Sequence, residues 1–243
     1  MNPDTPSTAR MIDYWLGGAD HFDVDVAAAQ AFESAYGPCA HEFRALRGFL
    51  ARSVQYLHER GLEEFLVIGA GVPTLGNVHE VLPTARVLYT DIDPMAVETG
   101  QRILAGNAQA TYALGDATDL QTFDPTVLHS TLPSWGIGPV GVVFLGLAAF
   151  LDDEQLARAL DDLYQATVPG SFLAFDFDSD VLAGNPEALA MMGPQFHMRR
   201  PEDFARLLGR WQLTDEGIAV VADWPKPSPS DAVAAFFGGV AAR

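Results

Sequence analysis

The stretch Phe65-Leu-Val-Ile-Gly69-Ala-Gly71-Val-Pro73-Thr74, followed by Arg86-Val-Leu-Tyr-Thr-Asp91-Ile-Asp93-Pro94, decides the fold. Each segment opens with a short apolar run rich in β-branched and aromatic residues, as a strand covered on both faces requires. The first run ends in glycines and the second in an acid, with helix-starting residues close behind. Working outward, the same pattern returns at Thr111–Leu114, Gly141–Leu145 and Phe172–Phe177, the last preceded by the turn Pro169-Gly170. A helix bearing Leu156, Leu160 and Leu163, capped by Asp152 or Asp153, separates the last two runs. Beyond a Met-, Gly- and Pro-rich loop at about 183–198, a helix is expected over Pro201–Leu208. Closing strands are expected over Ile218–Ala222 and Val233–Gly239. Strands alternating with helices in this way predict an α/β fold, a doubly wound, Rossmann-like, mostly parallel sheet.

Upstream, Arg10–Leu16 and Asp25–Tyr36 read as short amphipathic helices joined by a segment containing Gly17, Gly18 and His21. Phe43, Leu46, Leu50, Val54 and Leu57 then recur at helical spacing, and Gly61 stands where a left-handed C-terminal residue is wanted. A single domain over residues 1–243 is expected, with a helical cap at 1–60 and the sheet and its helices at 61–243.

The chain of 243 residues carries 32 acidic and 14 basic side chains, a formal charge of −18, and 49% of it is apolar. That composition excludes a disordered chain. The surface repels phosphate backbones and anionic bilayers, so neither nucleic acid nor membrane is expected as a partner. Cys39 is the only cysteine, so neither an intrachain disulfide nor a thiolate metal cluster can form, and no metal is expected. The first ten residues are polar, and the longest apolar run, Pro139–Leu151, is too short to cross a bilayer. A cytoplasmic protein is expected.

Ligands of open α/β sheets lie at the carboxyl ends of the strands where strand order reverses. Gly69 and Gly71 let the backbone approach a ligand, and a helix starting behind them would offer free N–H groups. The third glycine of a dinucleotide fingerprint is missing, with Pro73 in its region. Asp91, about 20 residues beyond the glycines, is placed for ribose hydroxyls. Asp93 before Pro94 reads as a helix cap. Asp116 at the third strand end can accept from an adenine amino group. Together these suit adenosine without a diphosphate.

With these residues, Ala9-Arg10-Met-Ile-Asp13-Tyr14-Trp-Leu-Gly17-Gly18, Gly76-Asn77-Val78-His79-Glu80, Val168-Pro169-Gly170-Ser171 and Gly238-Gly239-Val240-Ala241, the chain resembles the S-adenosylmethionine methyltransferase-like family of actinobacteria, within the class I superfamily. The resemblance implies a seven-stranded sheet with one antiparallel strand. It implies S-adenosyl-L-methionine at the carboxyl edge and S-adenosyl-L-homocysteine as product. Around the cofactor it places Gly69, Ala70, Gly71, Pro73, Thr74, Asp91, Ile92, Asp116, Ala117 and Leu145, with Tyr14, Gly17, Gly18, Asn77 and His79 closing the site. Val67 stands where the family usually has an acid, and Ala149 and Phe150 where relatives carry histidines. Asp176-Phe177-Asp178 replaces a Ser-His pair, and Ala19 and His21 replace Lys and Asn.

Methyl transfer needs an acceptor held in line with water excluded, and a base only where the acceptor must first lose a proton. Acceptor-side candidates are Asp176, Asp178, His197, Tyr14 and His21; Phe150, Trp15 and Phe22 are candidates to flank a sulfonium. The leading reading is methyl transfer to a small molecule, in secondary metabolism, with a homodimer admissible. The alternatives are recruitment of the fold to elimination, cyclisation or hydrolysis, and a non-catalytic module that binds the cofactor.

Overall fold

A computed structural model describes residues 4–73, 75–229 and 232–243. Five parallel strands form the body of the sheet: β1 (Glu64–Ile68), β2 (Arg86–Asp91), β3 (Ala110–Leu114), β4 (Gly141–Phe144) and β5 (Phe172–Asp178). They stand in the order β3-β2-β1-β4-β5, so the chain reverses direction across the sheet between β1 and β4. The sheet is completed by β6 (Gln212–Leu213), β7 (Ala219–Val220) and β8 (Phe236–Ala242). β8 runs antiparallel to β5, with Phe175 opposite Gly239. β6 and β7 pair with opposite ends of β8, through Leu213–Ala241 and Val220–Phe237, as two pieces of one interrupted edge strand. The sheet is thus seven positions wide with eight named strands.

The closing strands differ from their sequence ranges. Only Ala219–Val220 of the run 218–222 pairs, and the last strand starts at Phe236 because Val233 lies 82% exposed, off the sheet.

Helices cover both faces. On one, α3 (Ala40–His58) buries Phe49, Leu50, Val54 and Leu57, joined by α4 (Val78–Val81) and α5 (Pro94–Ile103). On the other, α6 (Pro125–Thr131), α7 (Asp153–Ala166) and α9 (Pro201–Leu207) pack through Leu128, Leu156, Leu160, Leu163 and Phe204. There Phe177 stacks on Phe204 with ring centres 4.4 Å apart. Asp152 caps α7 by accepting from the Gln155 N–H at 2.8 Å, and Gly61 adopts φ +89° beyond α3.

Two short helices had no periodic stripe to announce them. The glycine turn leads not straight into a helix but through a loop to the single turn of α4. The segment read as a loop at 183–198 contains α8 (Pro186–Met192). Pro186 at its first turn and the helix-favouring run Glu187-Ala-Leu-Ala account for it. Asn185 caps it through the Ala188 N–H and donates from Nδ2 to the Ala35 carbonyl at 2.6 Å.

The Ala35 carbonyl belongs to α2 (Asp23–Tyr36), which with α1 (Thr8–Leu16) forms a corner over the carboxyl edge of the sheet. Arg10 fixes this corner: its Nε donates to buried Asp25 at 2.6 Å. Burial works against ionisation of Asp25, but Arg10 and the N–H groups of Phe22 and Ser7 hold its carboxyl below the usual range. No helix among the described residues is long and apolar enough to cross a membrane.

Candidate active site

A cavity of about 490 Å³ opens at the carboxyl ends of β1, β2 and β4, where strand order reverses. Its floor is the glycine turn, and both backbone groups of Gly71 are held there. The Gly71 N–H donates to Asp91 Oδ2 at 2.9 Å, and the Tyr112 hydroxyl donates to the Gly71 carbonyl at 2.7 Å. Gly71 has φ +63°, and a Cβ on it would stand 3.2 Å from the Ala9 methyl of α1, so only glycine suits this close approach. Asp91 Oδ1 accepts from the Asp93 N–H at 2.9 Å, and Asp93 caps α5 through the Met95 N–H. Burial, with Asp93 close by, raises the Asp91 carboxyl above its usual range despite these bonds.

Of the residues expected around the cofactor, Gly69, Ala70, Gly71, Asn77, Asp91, Ile92, Asp116, Ala117 and Leu145 line this one cavity. Ile92 stands 66% exposed among them. Asp116 folds into its own turn, Oδ1 accepting from the Thr118 N–H and hydroxyl at 2.8 and 2.7 Å. Val67 gives the cavity a buried apolar wall.

Other expected residues lie off its walls. His79 pairs through Nδ1 with the Tyr89 hydroxyl at 2.8 Å, and burial lowers its pKa. Tyr14 and His21 pack edge to face, and His21 Nδ1 meets Asp13 Oδ2 at 2.7 Å. Gly17 ends α1 with φ +84°, and a Cβ on Gly18 would fall 1.9 Å from Asp13 Oδ1. The glycine pair thus has a local explanation in the turn that Asp13 organises. Pro73 is not among the lining residues, and Thr74 lies outside the described residues.

Two contributors escaped the motif reading. Ser7, just before α1, and Thr8, Ala9 and Ile12 of α1 roof the cavity. Among the described residues, Arg47 of α3 is the only Lys or Arg lining it. Its Nη1 donates to Asn77 Oδ1 at 3.2 Å, no carboxylate among the described residues forms an ion pair with it, and burial lowers its pKa. The signal was present: Arg47 sits between Phe43 and Leu50 on the core-facing stripe of α3, where a cation has no place unless it serves a partner.

The acceptor-side candidates are dispersed. Asp176 is fully buried, with Oδ1 accepting from the Gly146 N–H at 2.6 Å, and it lines no described cavity. It positions the turn after β4 much as Asp91 positions that after β1. His197 lies in the segment after α8, its N–H donating to the Ala149 carbonyl at 2.7 Å. Asp178 lines a second cavity of about 330 Å³, as do Trp15 and Phe150. Phe22 instead lies under the Arg10 guanidinium, 5.2 Å away. Cys39 is buried, its thiol pushed up to about 12 by burial and by Glu33 and Glu42, which disqualifies it as a nucleophile.

Comparison with solved structures agrees with this architecture. A candidate methyltransferase of Thermobifida fusca YX is 27% identical with a TM-score of 0.85, covering 98% of this chain and 95% of that one. A DUF574-family protein of Streptomyces avermitilis MA-4680 is also 27% identical with a TM-score of 0.85, covering 100% of this chain and 99% of its own. The magnesium protoporphyrin IX methyltransferase of Synechocystis PCC 6803, solved with bound S-adenosylhomocysteine, shares the fold at 14% identity, with a TM-score of 0.59 over 96% of this chain and 93% of that one. No curated protein matches the chain. The family model described as S-adenosyl methyltransferase matches residues 1–243, and the chain therefore belongs to that family of S-adenosylmethionine-dependent enzymes.

Proposed function

We propose that the enzyme methylates a small molecule of secondary metabolism and holds its cofactor in the 490 Å³ cavity. One observation carries the placement: a carboxylate at the end of β2 and a guanidinium with no ion pair among the described residues share one cavity above a glycine turn. S-adenosylmethionine has matching features, a ribose diol at one part and an α-carboxylate at the other. Asp91 would accept from the ribose hydroxyls, and Arg47 would take the carboxylate with Asn77 beside it. Ile92 would cover the base, with Asp116 and Ala117 at its edge. When bound, the cofactor supplies an electrophilic methyl carbon, which passes to the acceptor as the carbon–sulfur bond breaks with its electron pair left on sulfur. The protein's own part is to hold both molecules in line and keep water out, under the roof of α1.

A formal charge of −18 and cavities of only about 490 and 330 Å³ favour a small acceptor over nucleic acid. Membership of the family favours retained methyl transfer over recruitment to elimination, cyclisation or hydrolysis, and over a binding-only role. Calorimetric titration with S-adenosylmethionine tests the reading. Binding with slow formation of S-adenosylhomocysteine is expected; absence of heat at about millimolar ligand, where even weak sites register, would remove it.

A further inference from the structure

We propose that the second cavity, of about 330 Å³, is the acceptor chamber and that it takes a lipophilic amine. The role as acceptor site rests on placing the cofactor in the first cavity; the ligand chemistry does not. Thr8, Phe43 and Phe150 line both cavities, so the two spaces adjoin through one wall. The chamber is otherwise apolar and largely aromatic, built from Met11 and Trp15 of α1, Phe32 and Tyr36 of α2, Met192 of α8 and Phe236 of β8. Trp15 lies flat against Phe43, with ring centres 4.9 Å apart and planes 7° apart. A rigid box of rings selects an apolar scaffold.

Its charge selects the head group. Among the described residues the only charged ones lining it are Glu42 and Asp178, and no Lys, Arg or His does. Glu42 has exposed His41 at 3.1 Å. The Asp178 side chain accepts no hydrogen bond from another residue among those described, and Arg199 nearby spends its guanidinium on Asp153 and on the carbonyls of Ala148 and Leu151. A carboxylate ligand would add like charge beside Glu42 and Asp178. An alcohol would leave Asp178 in the protonated form that burial beside Asp176 favours, with no ion pair gained. An ammonium is the one head group of the three that stabilises the ionised Asp178 by pairing with it, and it is also favoured by the ring faces. The Trp15 indole N–H, buried without an acceptor, leaves a further place for an ether or carbonyl oxygen on the scaffold.

An ammonium has no lone pair, so the amine must lose a proton before it can attack. Asp178 takes that proton: an O–H bond forms on its carboxylate while the N–H pair stays on nitrogen as the nucleophile. Burial and the neighbouring Asp176 raise its carboxyl well above the usual range, so it is a stronger base than an ordinary carboxylate once the bound ammonium has favoured its ionised form.

The test is calorimetric titration with phenethylamine, phenethyl alcohol and phenylpropanoate, probes with one ring and three head groups. It is run on the protein alone and saturated with S-adenosylhomocysteine. The amine should bind roughly tenfold or more tighter than the alcohol, the carboxylate worst. Asp178→Asn should bring amine and alcohol together. Ala28→Trp, which fills the chamber from α2, should abolish amine binding and leave cofactor affinity intact. Each variant is checked by its melting temperature. Carboxylate binding as tight as amine, amine affinity unchanged in Asp178→Asn, amine binding retained in Ala28→Trp, or no binding of any probe would each overturn the proposal. Amine binding in a protein that ignores S-adenosylmethionine would instead leave the chamber standing and remove the cofactor reading.

Discussion

Replacing Asp91 by alanine tests where the cofactor lies. Its two oxygens each accept one backbone N–H, from Gly71 and Asp93, both at 2.9 Å. Each oxygen keeps a second lone pair for a ribose hydroxyl. Hydrogen bonds to a charged acceptor are worth about 1.5–3 kcal/mol, so losing one amounts to roughly a 10- to 150-fold rise in Kd. The variant also frees the Gly71 N–H that sets the cavity floor, so some stability should be lost with affinity. Asp91→Asn separates the two effects, since one amide oxygen can still serve a backbone donor while the charge is gone. The assay is calorimetric titration with S-adenosylmethionine beside a thermal melt for wild type and both variants. Affinity should fall in both variants, with the larger melting shift in Asp91→Ala. An unchanged Kd in Asp91→Ala would show that the ribose is held elsewhere.

Arg47→Met should weaken S-adenosylmethionine roughly tenfold or more while leaving adenosine binding unchanged, because only the former has a carboxylate to lose its partner. Parallel weakening of both ligands in titration would refute the assignment. Asp93→Ala removes a helix cap worth about 1 kcal/mol, so melting should drop by about 2–4 °C for a chain of this size. Weakened cofactor binding at wild-type stability would count against that role. Burial pushes the Asp176 carboxyl from 3.8 up to about 7, so the folded state keeps a proton that the unfolded chain releases. Stability therefore falls as pH rises toward about 7 and this contribution levels off above it, Asp178 adding to the fall with the same sign. Melting curves of Asp176→Asn across that range should fall less steeply than wild type; identical slopes would mean that Asp176 is not the titrating group.

What the sequence determined by itself was local. Unbroken apolar runs can only be strands covered on both sides, and the glycines and acids at their ends follow from where a parallel sheet exposes backbone. Asp93 ahead of Pro94 and the pair Asp152-Asp153 ahead of its leucine stripe were readable as caps because a capping bond spans two or three residues, though which of the pair caps was left to the structure. Gly69, Gly71, Asp91 and Asp116 could be grouped because a parallel sheet brings its carboxyl ends to one edge. Tyr14, Gly17, Gly18 and His79 could not be placed the same way, since the contacts of Tyr14 with His21, of Gly18 with Asp13 and of His79 with Tyr89, and the left-handed turn at Gly17, leave no mark on spacing. Only the tertiary structure decided that Arg47 reaches the 490 Å³ cavity and that α1 roofs it. It also decided that Trp15, Asp178, Met192 and Phe236 enclose one chamber. A cavity is space left between elements that meet from distant parts of the chain, and its shape and charge follow from how they pack, not from the pattern within any one of them.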